Sequence, residues 1–286
     1  MIAVVADTCA SIPPGLAESL QIEIVPYYLH RGQETLRDLV DISHDEFFGW
    51  LPSAEVLPTT ANPGPGDYLN AFRKAARRAD AVVVITMTSK GSGAYQSASI
   101  AGEMAKAQLP GVKVEVVDTL QVAMVHGWAA IEAARAAQAG TDLEGVISAA
   151  RYVAETGCMI QTADTLRYLY MGGRIGRAQH LVGSLLNVKP LIGMEEGIIV
   201  ALGQARTRQR AYGKMVELMH ERNPTQAPIK IAITHVAAPE QAELLMDMVK
   251  ESFELRETLI SQLSPVLGVH TGPGMVGVNF FPAPTE

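Results

Sequence analysis

Short runs rich in valine and isoleucine alternate along the chain with stretches whose apolar residues recur every three to four positions. "IAVVA" (residues 2–6), "IEIVPYYL" (22–29), "AVVVITM" (81–87) and "VKVEVVD" (112–118) read as β-strands. The helical patterns between them have recognisable starts. "SHDE" from Ser43 is a capping box ahead of Phe47 and Phe48, and "TDLE" from Thr141 is another ahead of "GVISAARYVAE". The alanine-rich stretch 120–139 is a strong helix former that Gly140 closes. Strand and helix in this alternation imply an α/β domain with a largely parallel sheet.

Beyond about Gly157 the pattern changes. Two apolar runs flank Glu195, Glu196 and Gly197, which predicts a hairpin. "IKIAITHV" reads as a strand, "PEQAELLMDMVKESF" as a helix, and "MVGVNFF" as a last strand that suits either sheet. The fold class expected is α/β, in two α/β domains, residues 1–155 and 156–286. The first carries a largely parallel sheet and the second a mixed or partly antiparallel one, with the ligand site expected between them.

Composition narrows the function. With 286 residues, 48% of them hydrophobic and 19% charged, the chain buries a large core and is long enough for two domains. A net charge of -7 argues against nonspecific nucleic-acid binding, and 6% aromatics leave little for a base-stacking platform. The opening "MIAVVADTCA" lacks the basic region of a signal peptide, and no run approaches the roughly 18 to 20 apolar residues of a spanning helix, so a cytoplasmic protein is expected. Cys9 and Cys158 stand outside any CxxC pair and read as core residues. The seven histidines show no HExxH or close ligand pair, so no metal is expected. No GxxxxGK[ST] or GxGxxG follows a strand, which leaves no nucleotide cofactor to expect.

Polar residues gather where strands end: Asp7 and Thr8, then Thr86, Thr88 and Ser89, then Asp118 and Thr119. Ligands of open α/β sheets bind outside the carboxyl ends of strands, although the same residue types also serve as plain helix caps. "TSKGSGAYQSA" (88–98) poses the choice most sharply. Ser92 is either the N-cap of a helix beginning at Gly93 or a hydroxyl beside free N–H groups suited to an anion. "PTTANPGPGDY" (58–68) and "GVHTGPGMVGV" (268–278), which places His270 in a glycine-rich turn, likewise read as loops or as site segments.

These segments together resemble the DegV family of bacterial fatty-acid-binding proteins, some of which are the acyl-carrying subunits of fatty acid kinase. The resemblance runs through nearly the whole chain: "VADTCASIPPGL", "RDLVDIS" (37–43), "TTANPGPGDY", "TSKGSGAYQSA", "VVDT", "LRYLYMGGRIGRA", "GSLLNVKPLIGMEEGIIV", "ARTRQRA" and "VLGVHTGPGMVGV". It implies a lipid-binding carrier without catalytic residues or cofactor, whose partners are a long-chain fatty acid and a fatty acid kinase subunit. Nucleic acid is not among those partners, and membrane contact is at most transient.

Carried over position by position, the resemblance assigns the fatty acid carboxylate to Thr60, Ser92 and His270, with the tail in an apolar tunnel. Thr59 adds a hydroxyl, and Gly93 lets backbone approach the carboxylate. Arg206 is expected near the carboxylate or a phosphate, and Arg174 is expected to meet the kinase rather than the lipid. Departures from the family pattern occur at Ala61, Asn62, Gly64, Gly91 and Ala94. The chemistry agrees with the assignment, since a buried carboxylate needs several donors and about 14 methylenes at ~0.8 kcal/mol each contribute roughly 11 kcal/mol gross. His270, the matched group able to carry charge, is expected to make affinity weaken as pH rises through the histidine range. The alternative reading is a serine-dependent lipid or ester hydrolase using Ser92 and His270 with Asp7 or Asp118.

Overall fold

Every residue of Ala81–Thr86 is buried in the computed structural model, which describes residues 1–184 and 188–283. A strand covered on both faces is what a continuous apolar run encodes in a parallel sheet. It belongs to a unit made of Met1–Ser43 and Pro58–Glu155. In chain order the elements are β1 (Ile2–Asp7), α1 (Pro14–Ser19), β2 (Glu23–Val25), β3 (Tyr28–Arg31) and β4 (Glu34–Arg37). After α2 (His44–Trp50), which belongs to the other unit, come β5 (Thr59–Ala61), α3 (Pro65–Ala75), β6 (Ala81–Thr86), α4 (Ala94–Gln108), β7 (Lys113–Asp118), α5 (Ala123–Gln138) and α6 (Leu143–Thr156).

The main sheet has four strands in the order β2-β1-β6-β7, all parallel. α3 packs on β1 and β2, α4 on β6 and β7, and α5 on β1 and β6. A small antiparallel sheet, β4-β3-β5, stands beside it. The run 22–29, expected as one strand, is two strands in different sheets. Pro26 separates them, because proline has no N–H to give a ladder. In place of the capping box expected at Thr141, Asp142 caps α6 singly, its Oδ1 accepting the N–H of Gly145 at 2.9 Å.

The second unit comprises His44–Leu57 and Thr156–Glu286. After α2 its elements are β8 (Cys158–Thr162), α7 (Arg167–Met171), β9 (Lys189–Glu195), β10 (Ile198–Ala205), α8 (Arg208–Arg222), β11 (Ile229–His235), α9 (Pro239–Ser252), β12 (Leu255–Gln262), α10 (Pro265–Thr271) and β13 (Val276–Pro282). Its sheet runs β10-β9-β8-β13-β11-β12, with every pair antiparallel except β11 with β12. Both turn residues of the β9–β10 hairpin have positive φ, Glu196 at 50° and Gly197 at 78°, as a two-residue type I′ connection requires. "MVGVNFF" supplies β13, paired between β8 and β11. The strand β12, absent from the sequence reading, pairs only with β11 and stands at the edge.

Aliphatic side chains and methionines, among them Met215, Met219, Ile231 and Ile233, fill the core under α8 and α9. The segment 44–57, read in sequence as part of the first domain, packs here through α2 against α10. A Cβ on Gly268 would collide with the Phe48 ring, so only glycine admits that approach. Of the segment "GSLLNVKPLIGMEEGIIV", residues 185–187 lie outside the described residues.

Candidate functional site

In the first unit the polar strand ends are largely consumed in closing their own loops. Asp7, fully buried, accepts the N–H of Cys9 at 3.0 Å on Oδ1 and, weakly, that of Met87 at 3.4 Å on Oδ2. Burial pushes its carboxyl up, against the opposing influence of His126 and these N–H groups. His126 holds Nε2 3.0 Å from the Ile85 carbonyl, which only accepts, so that nitrogen carries the proton. Asp118 Oδ1 takes the N–H groups of Ser89 and Leu120 at 3.1 and 3.0 Å, and Thr119 donates to the Thr86 carbonyl at 2.8 Å. Both aspartates that a Ser92 hydrolase would draw on therefore serve backbone amides.

Ser92 is different. α4 begins at Ala94, one residue later than expected, and Ser92 Oγ accepts the Ala94 N–H at 3.2 Å in a local turn rather than as the N-cap. The same oxygen lies 2.7 Å from the hydroxyl of Tyr27, a residue the sequence reading leaves within a strand. Tyr27 is 4% exposed and its N–H donates to Thr8 Oγ1 at 3.2 Å. Burial first, then Asp7 and Cys9, hold the phenol well above its ordinary range, so it stays protonated at neutral pH.

The "TTANPG" and "SKGSGAYQSA" segments meet in this unit. Thr60 pairs with Leu29 and Ala61 with Tyr28, which carries β5 alongside Tyr27. Thr59 pairs with His30 and is exposed. Asn62 Nδ2 donates to Ser97 Oγ at 3.1 Å, and a Cβ on Gly93 would stand 2.9 Å from Asn62 Oδ1. Glycine at 93 thus admits the carboxamide of a residue that departs from the family pattern. At Gly91, another departure, an added Cβ would meet Thr88 at 3.4 Å and Met87 at 3.9 Å, ordinary contacts that leave the loop path unchanged.

In the second unit the sequence "GGR" is explained residue by residue. Gly173 has φ 69° and follows the end of α7, its N–H bonding to the Tyr170 carbonyl while the N–H of Arg174 bonds to that of Leu169. This is a Schellman closure, and the left-handed position wants glycine. Gly172 has an ordinary φ of −77° and is small for another reason: an added Cβ would collide with His270 Nδ1. Reciprocally, Gly272 has φ 77° and sits where a Cβ would collide with the Tyr168 ring. α7 and α10 therefore interlock by placing a ring of each on a glycine beside the other.

His270 lies in the last turn of α10 rather than in an open turn. Burial, and then the neighbouring Arg174 charge, bring its imidazole down to about 4. It is neutral across the physiological range in the free protein, so the expected weakening of affinity through that range does not follow. Arg174 is exposed, donates to the Gly172 carbonyl at 2.7 Å and faces His270 electrostatically. Arg206 is exposed at the end of β10. Its neighbour Arg208, which the sequence reading passes over, ties down the "HTGPG" turn by donating to the Gly274 carbonyl at 2.8 Å and to Asp164 at 2.6 Å. Burial would raise Asp164, but Lys189 and Arg208 bring it below the usual carboxylate range. Among the described residues no cluster of three or more metal-ligating side chains occurs, and no helix is long and apolar enough to cross a membrane.

A parallel-sheet α/β unit with hydroxyls at the carboxyl edge of its strands, joined in one chain to a mixed-sheet unit whose histidine rests on a glycine turn, defines the class: two-unit α/β proteins of the DegV type. The chain belongs to the DegV family, whose model, described as "Uncharacterised protein, DegV family", matches residues 1–283. It is 35% identical to a DegV domain-containing protein of Streptomyces coelicolor over 97% of both chains. Among solved structures, it resembles a DegV family protein of Thermus thermophilus described by its fatty acid binding, with 28% identity, a TM-score of 0.91 and 99% of both chains covered. Bacillus subtilis DegV, described as a fatty acid binding protein, matches with 28% identity, a TM-score of 0.87 and 99% of both chains covered.

Proposed function

We propose that this chain binds a long-chain fatty acid in the cytoplasm and presents it to a fatty acid kinase for acyl-phosphate formation. The observation that carries the ligand class is the likeness, over 99% of each chain, to the Thermus thermophilus and Bacillus subtilis proteins described as fatty acid binding. Thr60, Ser92 and His270 take the carboxylate in this reading, with Thr59 and Gly93 at its margin and the tail in an apolar tunnel. Ser92 supports the assignment because it lies at the start of α4, where free N–H groups favour an anion. His270 contributes a neutral N–H donor, and Arg174, exposed beside it, meets the phosphate-bearing partner. Arg206 adds a second permanent cation. In the coupled step the carboxylate oxygen attacks the terminal phosphate of a nucleoside triphosphate held by the kinase, and the nucleoside diphosphate leaves.

The test is direct. Protein stripped of lipid and titrated calorimetrically with hexadecanoate should bind one equivalent, and native mass spectrometry of the untreated protein should show a copurified fatty acid. Absence of both would refute the reading, and turnover of an ester with acylation of Ser92 would favour the hydrolase instead.

A further inference from the structure

A serine hydroxyl has one proton to donate and two lone pairs to accept with. In Ser92 one lone pair is committed to the Ala94 N–H. The 2.7 Å contact with Tyr27 then decides what remains. If Tyr27 donates, both lone pairs are filled and the serine proton turns outward, available to an anion. If Tyr27 accepts, the serine proton is spent inward and Ser92 has nothing to give a carboxylate.

The surroundings of Tyr27 favour the first arrangement once an anion is present. Its ring is buried, its backbone is pinned to Thr8, and its hydroxyl keeps its proton. An anion at Ser92 aligns both protons in one direction, phenol to serine to ligand, and the first bond polarises the second. Resting on the fatty acid reading above, we propose that Tyr27 is a positioning residue that converts Ser92 into an outward hydrogen-bond donor and so favours a carboxylate over a neutral head group.

Fluorination of the phenol tests the direction of the bond without changing the fold. 3-Fluorotyrosine at position 27 is a stronger donor and a weaker acceptor, so hexadecanoate should bind more tightly than to wild type. Tyr27→Phe should weaken hexadecanoate roughly 3- to 10-fold while leaving the methyl ester within about twofold, as loss of one aligned hydrogen bond predicts. In a Ser92→Ala background Tyr27→Phe should cost nothing further. Weaker binding by the fluorinated protein, equal losses for acid and ester, or a further loss in the Ser92→Ala background would each overturn the inference while leaving the fatty acid reading in place. A wild-type protein that takes up neither ligand would overturn that reading itself, and this inference with it.

Discussion

Gly172 and Gly213 make a matched pair in which the same substitution should act with opposite signs. Gly172 closes α7 with φ −77° and ψ −5°, a conformation alanine adopts freely. On backbone entropy alone Gly172→Ala would stabilise by about 0.4 to 1 kcal/mol. Packing reverses this. The new Cβ would overlap His270 Nδ1, stand 3.0 Å from Cε1 of the same ring and 3.1 Å from the Tyr168 carbonyl oxygen. Neither neighbour yields easily: the carbonyl is backbone, and the helix carrying His270 is held by Gly272 beneath the Tyr168 ring and by Arg208 on the Gly274 carbonyl.

Overpacking of this kind costs about 1 to 3 kcal/mol, which set against the entropy gain leaves a net loss of roughly 0 to 2.6 kcal/mol, near 1 at the middle of both ranges. In the middle of α8, by contrast, a Cβ on Gly213 would meet nothing within 4 Å. Gly213→Ala should therefore stabilise by about 0.5 to 1 kcal/mol. Calorimetric melting separates the two, since each kcal/mol moves Tm by roughly 2 to 4 °C in a chain of this size. Gly172→Ala should melt lower than wild type, Gly213→Ala higher, and only Gly172→Ala should lose fatty acid affinity through the displaced imidazole. A rise in Tm for both would show that the α7–α10 contact is loose and would refute the argument that Gly172 exists to seat His270.

Three further outcomes are expected. Because His270 is held at about 4 against an ordinary 6.5, the unfolded chain binds more protons between those values, so stability is complete above about pH 6.5 and falls towards pH 4. That single group accounts for on the order of 3 kcal/mol, and His270→Asn should flatten the decline in denaturant-derived stability, with an unchanged slope counting against it. Ser92→Ala should lower stability by roughly 1 kcal/mol through its lost bonds to Ala94 and Tyr27, and fatty acid binding by about 1.5 to 3 kcal/mol, measured by melting and by titration calorimetry; full affinity in the folded variant would reduce Ser92 to a turn residue. Arg174→Ala should keep Tm and lipid affinity, raise the His270 pKa seen by NMR, and lower acyl-phosphate formation with the cognate kinase; loss of bound lipid would place Arg174 in the pocket.

The parts of the fold that were legible are those governed by local pattern. β6 reads as a strand because every residue of it is apolar or small and every one is buried, and the Glu196-Gly197 turn reads as a hairpin because both residues take the positive φ that such a loop requires. What stayed hidden depends on partners remote in sequence. Nothing local in "HDEFFGW" says that Phe48 will lie against Gly268 rather than join the strands that precede it. The break at Pro26 was available from the proline itself, which demotes any run it interrupts.

The candidate site divides in the same way. Ser92 stands out in sequence because a hydroxyl between glycines after an apolar strand suits a helix start or an anion, whereas Tyr27, 65 positions away, looks like one more aromatic in a strand. The signal that was present is the doubled tyrosine after proline: Pro26 ends β2, Tyr28 enters β3, and Tyr27 lies between the two pairings. Its carbonyl takes the N–H of Asp38 and its own N–H goes to Thr8 Oγ1, while its ring is buried with its hydroxyl on Ser92. The glycines at 172 and 272 follow the same logic from the opposite side. Their spacing in sequence marks turns, but a φ of −77° at Gly172 shows that turn chemistry does not demand glycine there. The demand comes from a histidine ring nearly a hundred residues later, and a residue chosen to make room for another's side chain leaves no local trace.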